Sequence, residues 1–183
     1  FHDIIMTGDD LEVRRVALDS LFSILKQYGR SFRPDFWDTV CQEILFPIFA
    51  VLRSRQDVTR FSSHEDMSVW LSTTLIQALR NLVDLWTFYF ETLERLLSGL
   101  LDLLCACICQ ENDTLARIGT SCLQGLLEKN VRKLSEEKWG LVVDTFLQLF
   151  RTTTAHQLFD PVLRADGSGA APVESPQDVA GAA

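Results

Sequence analysis

No stretch of the 183-residue chain alternates apolar and polar residues with the period of two that a half-buried strand requires, so no β-sheet is expected. No apolar run reaches the ~20 residues that span a bilayer. The most apolar one, Leu96–Cys109, is interrupted by Asp102 and preceded by Glu91, Glu94 and Arg95, and reads as a buried core helix. Basic charge is in deficit: 17 Lys and Arg stand against 25 Asp and Glu, a formal charge of −8 at pH 7. That argues against bulk electrostatic binding to nucleic acid, but it leaves room for a local basic edge. Cysteines number five (Cys41, Cys105, Cys107, Cys109, Cys122), an odd count set inside apolar helical patterns. They read as small buried hydrophobes in a reducing compartment, not as a disulfide framework. The opening Phe1-His2-Asp3 carries neither the basic nor the apolar region of a secretory signal. Without an initial methionine it is expected to belong to a fragment of something larger.

Catalytic signatures are missing as well. There is no Walker loop, no G-x-G-x-x-G, no G-x-S-x-G, and no spaced carboxylate pair suited to acid and base roles. His64-Glu65 lacks the second histidine of a zincin motif, and His2 and His156 are isolated. In Cys105-Ala106-Cys107-Ile108-Cys109, helical geometry puts only Cys105 and Cys109 on one face, and no second Cys or His pair lies near in sequence to close a zinc site. No enzymatic role, metal or cofactor is therefore expected.

What is present is helical. With 47% hydrophobic and 23% charged residues, the chain has an ordinary globular balance and the length of one domain, enough to bury roughly two thirds of its unfolded surface. A first helix is expected over about Asp10–Tyr28, capped by Asp10, with Val13, Val16, Ala17, Leu21, Ile24 and Leu25 on its apolar face and Gly29 as its stop. Pro34 suits a first helical position, and its helix should run to about Ser54 with a bend at Pro47. Residues 55–66 read as a loop. Further helices are expected over about Met67–Phe90, from a break near Glu91–Thr92 to near Gln110, over about Asp113–Lys129, and over about Glu136–Thr152 with Ser135 as cap. Residues 164–183 are rich in Gly, Ala, Pro, Ser and acids, and are expected to be a disordered tail or linker beyond a domain spanning 1–163.

The chain also repeats itself. A shift of 102 residues lays Arg117 on Arg15, Ile118 on Val16, Leu123 on Leu21, Leu127 on Leu25, Arg132 on Arg30 and Trp139 on Trp37 without a gap. Six helices in three antiparallel pairs fit this register. The fold class expected is all-α, an α-solenoid of about three HEAT- or armadillo-like pairs, because one such pair cannot bury its apolar face alone. Ala116, Gly119, Cys122 and Gly125 make a small-residue stripe for close helix approach. Trp86, Phe88, Tyr89 and Phe90 are either core filling, the favoured reading, or a partner anchor. Arg15 and Arg117 occupy matching helix positions and either pair with a neighbouring acid, the favoured reading, or bind a ligand.

The basic edge lies in the turns. Lys26, Arg30 and Arg33 flank the first turn, and Lys129, Arg132, Lys133 and Lys138 the last, whereas the middle turn lacks such charge. The register should turn both toward one edge. That edge is either a solvated rim, the favoured reading, or a contact for an anionic membrane surface.

Several segments resemble a known family in order along the chain. They are Ile5-Met6-Thr7-Gly8-Asp9-Asp10-Leu11-Glu12-Val13-Arg14, Phe36-Trp37, Leu45-Phe46-Pro47-Ile48-Phe49, Val69-Trp70-Leu71-Ser72-Thr73-Thr74 with Gln77-Ala78-Leu79-Arg80, and Gln110–Gly119 (Q-E-N-D-T-L-A-R-I-G). Together, over about residues 1–163, they resemble the first homology-downstream domain of the large trans-Golgi Arf guanine-nucleotide exchange factors of the Sec-seven/BIG family, in its fungal form. The resemblance implies a non-catalytic regulatory module, since the family's glutamate-bearing exchange loop has no counterpart here. It further implies a place in the cytoplasm, peripheral to Golgi and trans-Golgi membranes, and a role in recruitment and autoinhibition. The implied partners are Arf-family or other Golgi small GTPases, the anionic Golgi surface and other domains of the same chain. The alternative function is a protein-only solenoid scaffold.

Overall fold

The computed structural model describes residues 2–7, 10–52 and 74–155, and all regular structure among them is helical. The described residues up to Thr152 belong to one unit. The expected 55–66 loop, the start of the helix expected from Met67, and the 164–183 tail lie outside the described residues.

A short helix α1 (His2–Thr7) precedes α2 (Leu11–Tyr28). The Asp10 carboxylate accepts from the amides of Glu12 and Val13 at 2.7 and 3.4 Å, satisfying two of the donors that a helix start leaves open. The buried face of α2 is Ala17, Leu18, Leu21, Phe22 and Leu25. This corrects the expected face: Val13, Val16 and Ile24 are exposed. They share the helical period, but the neighbouring helix covers only the other side.

Gly29 ends α2 for a different reason from the one expected. Its φ of −58° is ordinary right-handed backbone, and the chain tightens into a 3-10 turn over Gly29–Ser31. Glycine is required there by packing: a Cβ would collide with the Trp37 ring and come within 3.0 Å of the Tyr89 ring. The Trp37 indole N–H then donates to the Gly29 carbonyl at 3.2 Å.

Helix α3 (Pro34–Thr39) opens on its proline. The chain continues as a π-helical segment, Val40–Leu45, and a 3-10 segment, Phe46–Leu52. Pro47 offers no N–H to an α-helical ladder. The hydrogen-bond register widens just before it, with Phe46 N–H donating to the Cys41 carbonyl, and narrows across it. The next helix, α4 (Ile76–Phe88), stops at Tyr89, two residues before the expected break. There the backbone leaves the helix (φ −111°, ψ 34°), held by the Tyr89 hydroxyl donating to the Lys26 carbonyl at 2.8 Å and by its ring lying 5.2 Å from Trp37. A short α5 (Phe90–Leu93) and a 3-10 turn (Glu94–Leu96) lead into α6 (Leu97–Ile108). The last pair is α7 (Asp113–Asn130) and α8 (Glu136–Thr153). Asn112 caps α7 by accepting from Leu115 N–H at 3.0 Å, at the position that Asp10 holds in the first copy.

Helix α4 packs between α2 and α7, while α6 packs against α7 and against Phe46–Leu52. Two helical layers thus share a core that includes Trp37, Leu45, Ile48, Leu79, Trp86, Leu100 and Leu104. The fold is all-α and solenoid-like. The small-residue stripe is only half used: at Gly119 a Cβ would sit 3.0 Å from the Cys107 Cβ, so glycine sets the α6–α7 approach, but at Gly125 nothing lies within 4 Å.

Candidate functional site

The turn between α4 and α5 is where the first and last turns come together. Phe88, half-exposed, projects from the end of α4, with Tyr89 and Phe90 buried behind it. The Lys26 ammonium stands 5.4 Å from the Phe88 ring centroid and the Arg30 guanidinium 5.7 Å, while the Lys133 ammonium is 5.7 Å from the Phe90 ring. The Lys133 ammonium also reaches the Thr87 carbonyl at 3.5 Å. Cations over aromatic faces are held by the ring quadrupole while keeping their charge toward water. Arg30 and Lys133 line one open cleft of about 270 Å³ together with Phe88–Thr92.

The other candidates from the sequence divide differently. Lys129 donates to Asp84 at 2.8 Å, a bond that raises its pKa, and so ties α7 to α4. Arg33 pairs with Asp35 at 3.0 Å and Lys138 lies 3.7 Å from Glu137. Arg132 is exposed on the last turn. Of the seven, Lys26, Arg30 and Lys133 are brought together; Lys129, Arg33 and Lys138 are set against carboxylates. The cleft also contains Glu91, which tempers its positive potential. Of the aromatic cluster expected to fill the core, Trp86, Tyr89 and Phe90 do so, while Phe88 is turned outward, as the partner-anchor alternative would have it.

Two nodes fix this edge. Arg95 bridges to Asp38 at 2.6 Å and to the Pro34 carbonyl, fastening the middle turn to α3. The buried Asn130 donates to Thr87 Oγ at 3.2 Å and to the Leu126 carbonyl at 2.8 Å, fastening the last turn to α4. Arg15 pairs with Glu12 and Asp19, and Arg117 with Asp113 at 2.9 Å, so both matching arginines are held by acids of their own helix.

Four of the five cysteines are buried as expected, and Cys109, at the end of α6, is exposed. Burial pushes the Cys41 and Cys107 thiols up to about 12 and Cys105 to about 11, so they stay protonated at neutral pH. Among the described residues no group of His, Cys, Asp and Glu could hold a metal ion, and no helix is long and apolar enough to cross a membrane.

Neither a family model nor a solved structure matches the chain. Curated relatives do. Over 160 residues, 87% of the chain, it is 58% identical to the ADP-ribosylation factor guanine nucleotide-exchange factor SEC7 of Saccharomyces cerevisiae, of which it spans 8%. It is 43% identical over 93% of its length to the corresponding factor sec72 of Schizosaccharomyces pombe, spanning 9% of it. Over 81% of its length it is 32% identical to the human brefeldin A-inhibited guanine nucleotide-exchange protein 1, of which it spans 8%. The chain thus covers less than a tenth of each of these relatives. With matches across so much of its own length, it belongs to the Sec7/BIG family of large Arf guanine-nucleotide exchange factors, as a segment of that longer sequence.

Proposed function

We propose that the chain is a non-catalytic regulatory module of a large Arf exchange factor, that it helps place the factor on Golgi and trans-Golgi membranes, and that it contributes to autoinhibition or GTPase-dependent control of exchange. The observation that carries the reading is the gathering of Lys26, Arg30 and Lys133 around the Phe88–Phe90 shelf. An exposed aromatic flanked by cations suits an interface with an anionic lipid surface, the ring entering the headgroup region while each basic side chain adds about 1 kcal/mol of attraction. The chain's net charge of −8 makes such contact local: among the described residues, this edge is where three cations gather on aromatic rings.

Control follows from differential affinity. A membrane or an Arf-family GTPase that binds the module better in an open arrangement of the exchange factor shifts the population toward that arrangement by its preference and no more. The other domains of the same polypeptide are the natural competitors for the module's surfaces.

Flotation with liposomes containing anionic lipid tests the edge. Arg30→Glu with Lys133→Glu should weaken binding by at least roughly thirty-fold, since two contacts of about 1 kcal/mol each are lost and two repulsions are added. Arg33→Glu, whose charge Asp35 already offsets, should change it little. Equal flotation of all three proteins would sink the reading. For the control role, exchange by the full-length factor with and without this segment, on liposomes and in solution, should differ more in one setting than in the other.

A further inference from the structure

The 102-residue register shows one helix stripe in two settings. In the first copy Trp37, Cys41, Leu45 and Ile48 are each 0% exposed. Their counterparts on α8, Trp139, Val143, Leu147 and Phe150, are 37%, 53%, 47% and 65% exposed. With Phe146, these side chains follow the spacing of a helix face that meets other helices. Of the 18 residues in α8, only Val142, Thr145 and Leu149 are buried. Both stripes are apolar, so what differs is the cover. In the first copy it comes from elements later in the chain: Tyr89 lies against Trp37, Trp86 stacks on Phe46 at 6.1 Å, and α6 packs along Phe46–Leu52.

We propose that the Trp139–Leu147 face of α8 is the docking site for a further helix pair of the same polypeptide, C-terminal to α8 and seated as α4 and α6 seat on the first pair. The relatives supply the chain for it, since the matched segment is 8–9% of their length. A second copy of this chain is the weaker occupant. It would set α8 against the same face of another α8, whereas the repeat shows this stripe covered by different helices in a head-to-tail stack. The proposal holds whether or not the basic edge meets a membrane.

Thiol labelling tests it. Val143→Cys and Leu147→Cys replace exposed side chains, so neither opens a cavity. Each is alkylated with a maleimide and quantified by peptide mass, in the 183-residue chain and in the full-length exchange factor. The shorter chain should label freely, and the full-length protein at least ten-fold more slowly. A benzophenone maleimide attached to the new thiol of the full-length Leu147→Cys variant should cross-link to residues of the same polypeptide that lie beyond the stretch matching Ala183. Equal labelling in both proteins overturns the proposal. So does a cross-link to N-terminal residues or to another protein, or protection in the shorter chain that grows with its concentration, which marks self-association. No readout involves a membrane, so its failure is separable from failure of the basic-edge reading.

Discussion

Helices α2 and α7 are copies in register, yet they are buried on different scales. On α2, Val13, Ile24 and Tyr28 are 50%, 41% and 54% exposed; at the same positions of α7, Leu115, Leu126 and Asn130 are 2%, 1% and 1% exposed. The sequence difference is slight at the first two positions, where one branched apolar residue replaces another. The setting differs: α7 packs against the long helices α4 and α6, while α2 packs against α4 and the six-residue α1. The partner helices reverse the asymmetry, since the stripe of α8 is open where that of α3 and its continuation is closed. A repeated helix pair therefore carries two apolar faces, and its place in the stack decides which is buried.

The largest expected effect sets the two matching tryptophans against each other. Trp37→Ala removes a fully buried ring with an indole hydrogen bond and should cost roughly 3–5 kcal/mol. Trp139→Ala, on the open face of α8, should cost less than about 1 kcal/mol. Denaturant unfolding of both variants measures the gap, and similar costs would break the comparison.

The two glycines come next. Gly29→Ala forces a methyl into the Trp37 ring and should destabilise by roughly 1–3 kcal/mol. Gly125→Ala meets open space inside a helix and should stabilise by up to about 1 kcal/mol. Opposite shifts in the melting temperature are the expected result. Shifts of one sign would show that glycine serves the same purpose at both sites.

The smallest difference is between the caps. Asp10→Ala and Asn112→Ala each remove a side-chain acceptor for helix-start amides and should each cost about 1 kcal/mol. Equal costs by thermal unfolding would show that the caps, unlike the faces, do not depend on place in the stack.

Much of this was legible in the sequence because it is local. Asp10 and Asn112 announce helix starts by the acceptors they carry, and Pro34 announces one by lacking a donor. Leu21, Leu25 and Leu123 recur at helical spacing and do face the core. What could not be read there depends on distant neighbours. Gly29 looked like a helix stop alone, but it is also a clearance for Trp37 and for Tyr89, 60 residues later in the chain. Gly125 looked like an approach site, yet among the described residues nothing lies within 4 Å of where its Cβ would be. The seven basic residues were legible as a set, but only folding divides them into three around an aromatic shelf, three set against acids and one exposed on its turn.

The sequence by itself determined the helix starts at Asp10, Pro34 and Asn112, the 102-residue register and the family, because each rests on residue type and spacing along one chain; it missed α1, and it read as one bent helix the stretch from Pro34 that turns π-helical at Val40 and 3-10 at Phe46. The tertiary structure alone decided which apolar faces are closed, why each glycine is tolerated, and which cations in the basic turns converge on the cleft between Arg30 and Lys133. Burial and charge pairing are properties of what packs alongside, and one-dimensional spacing does not contain them.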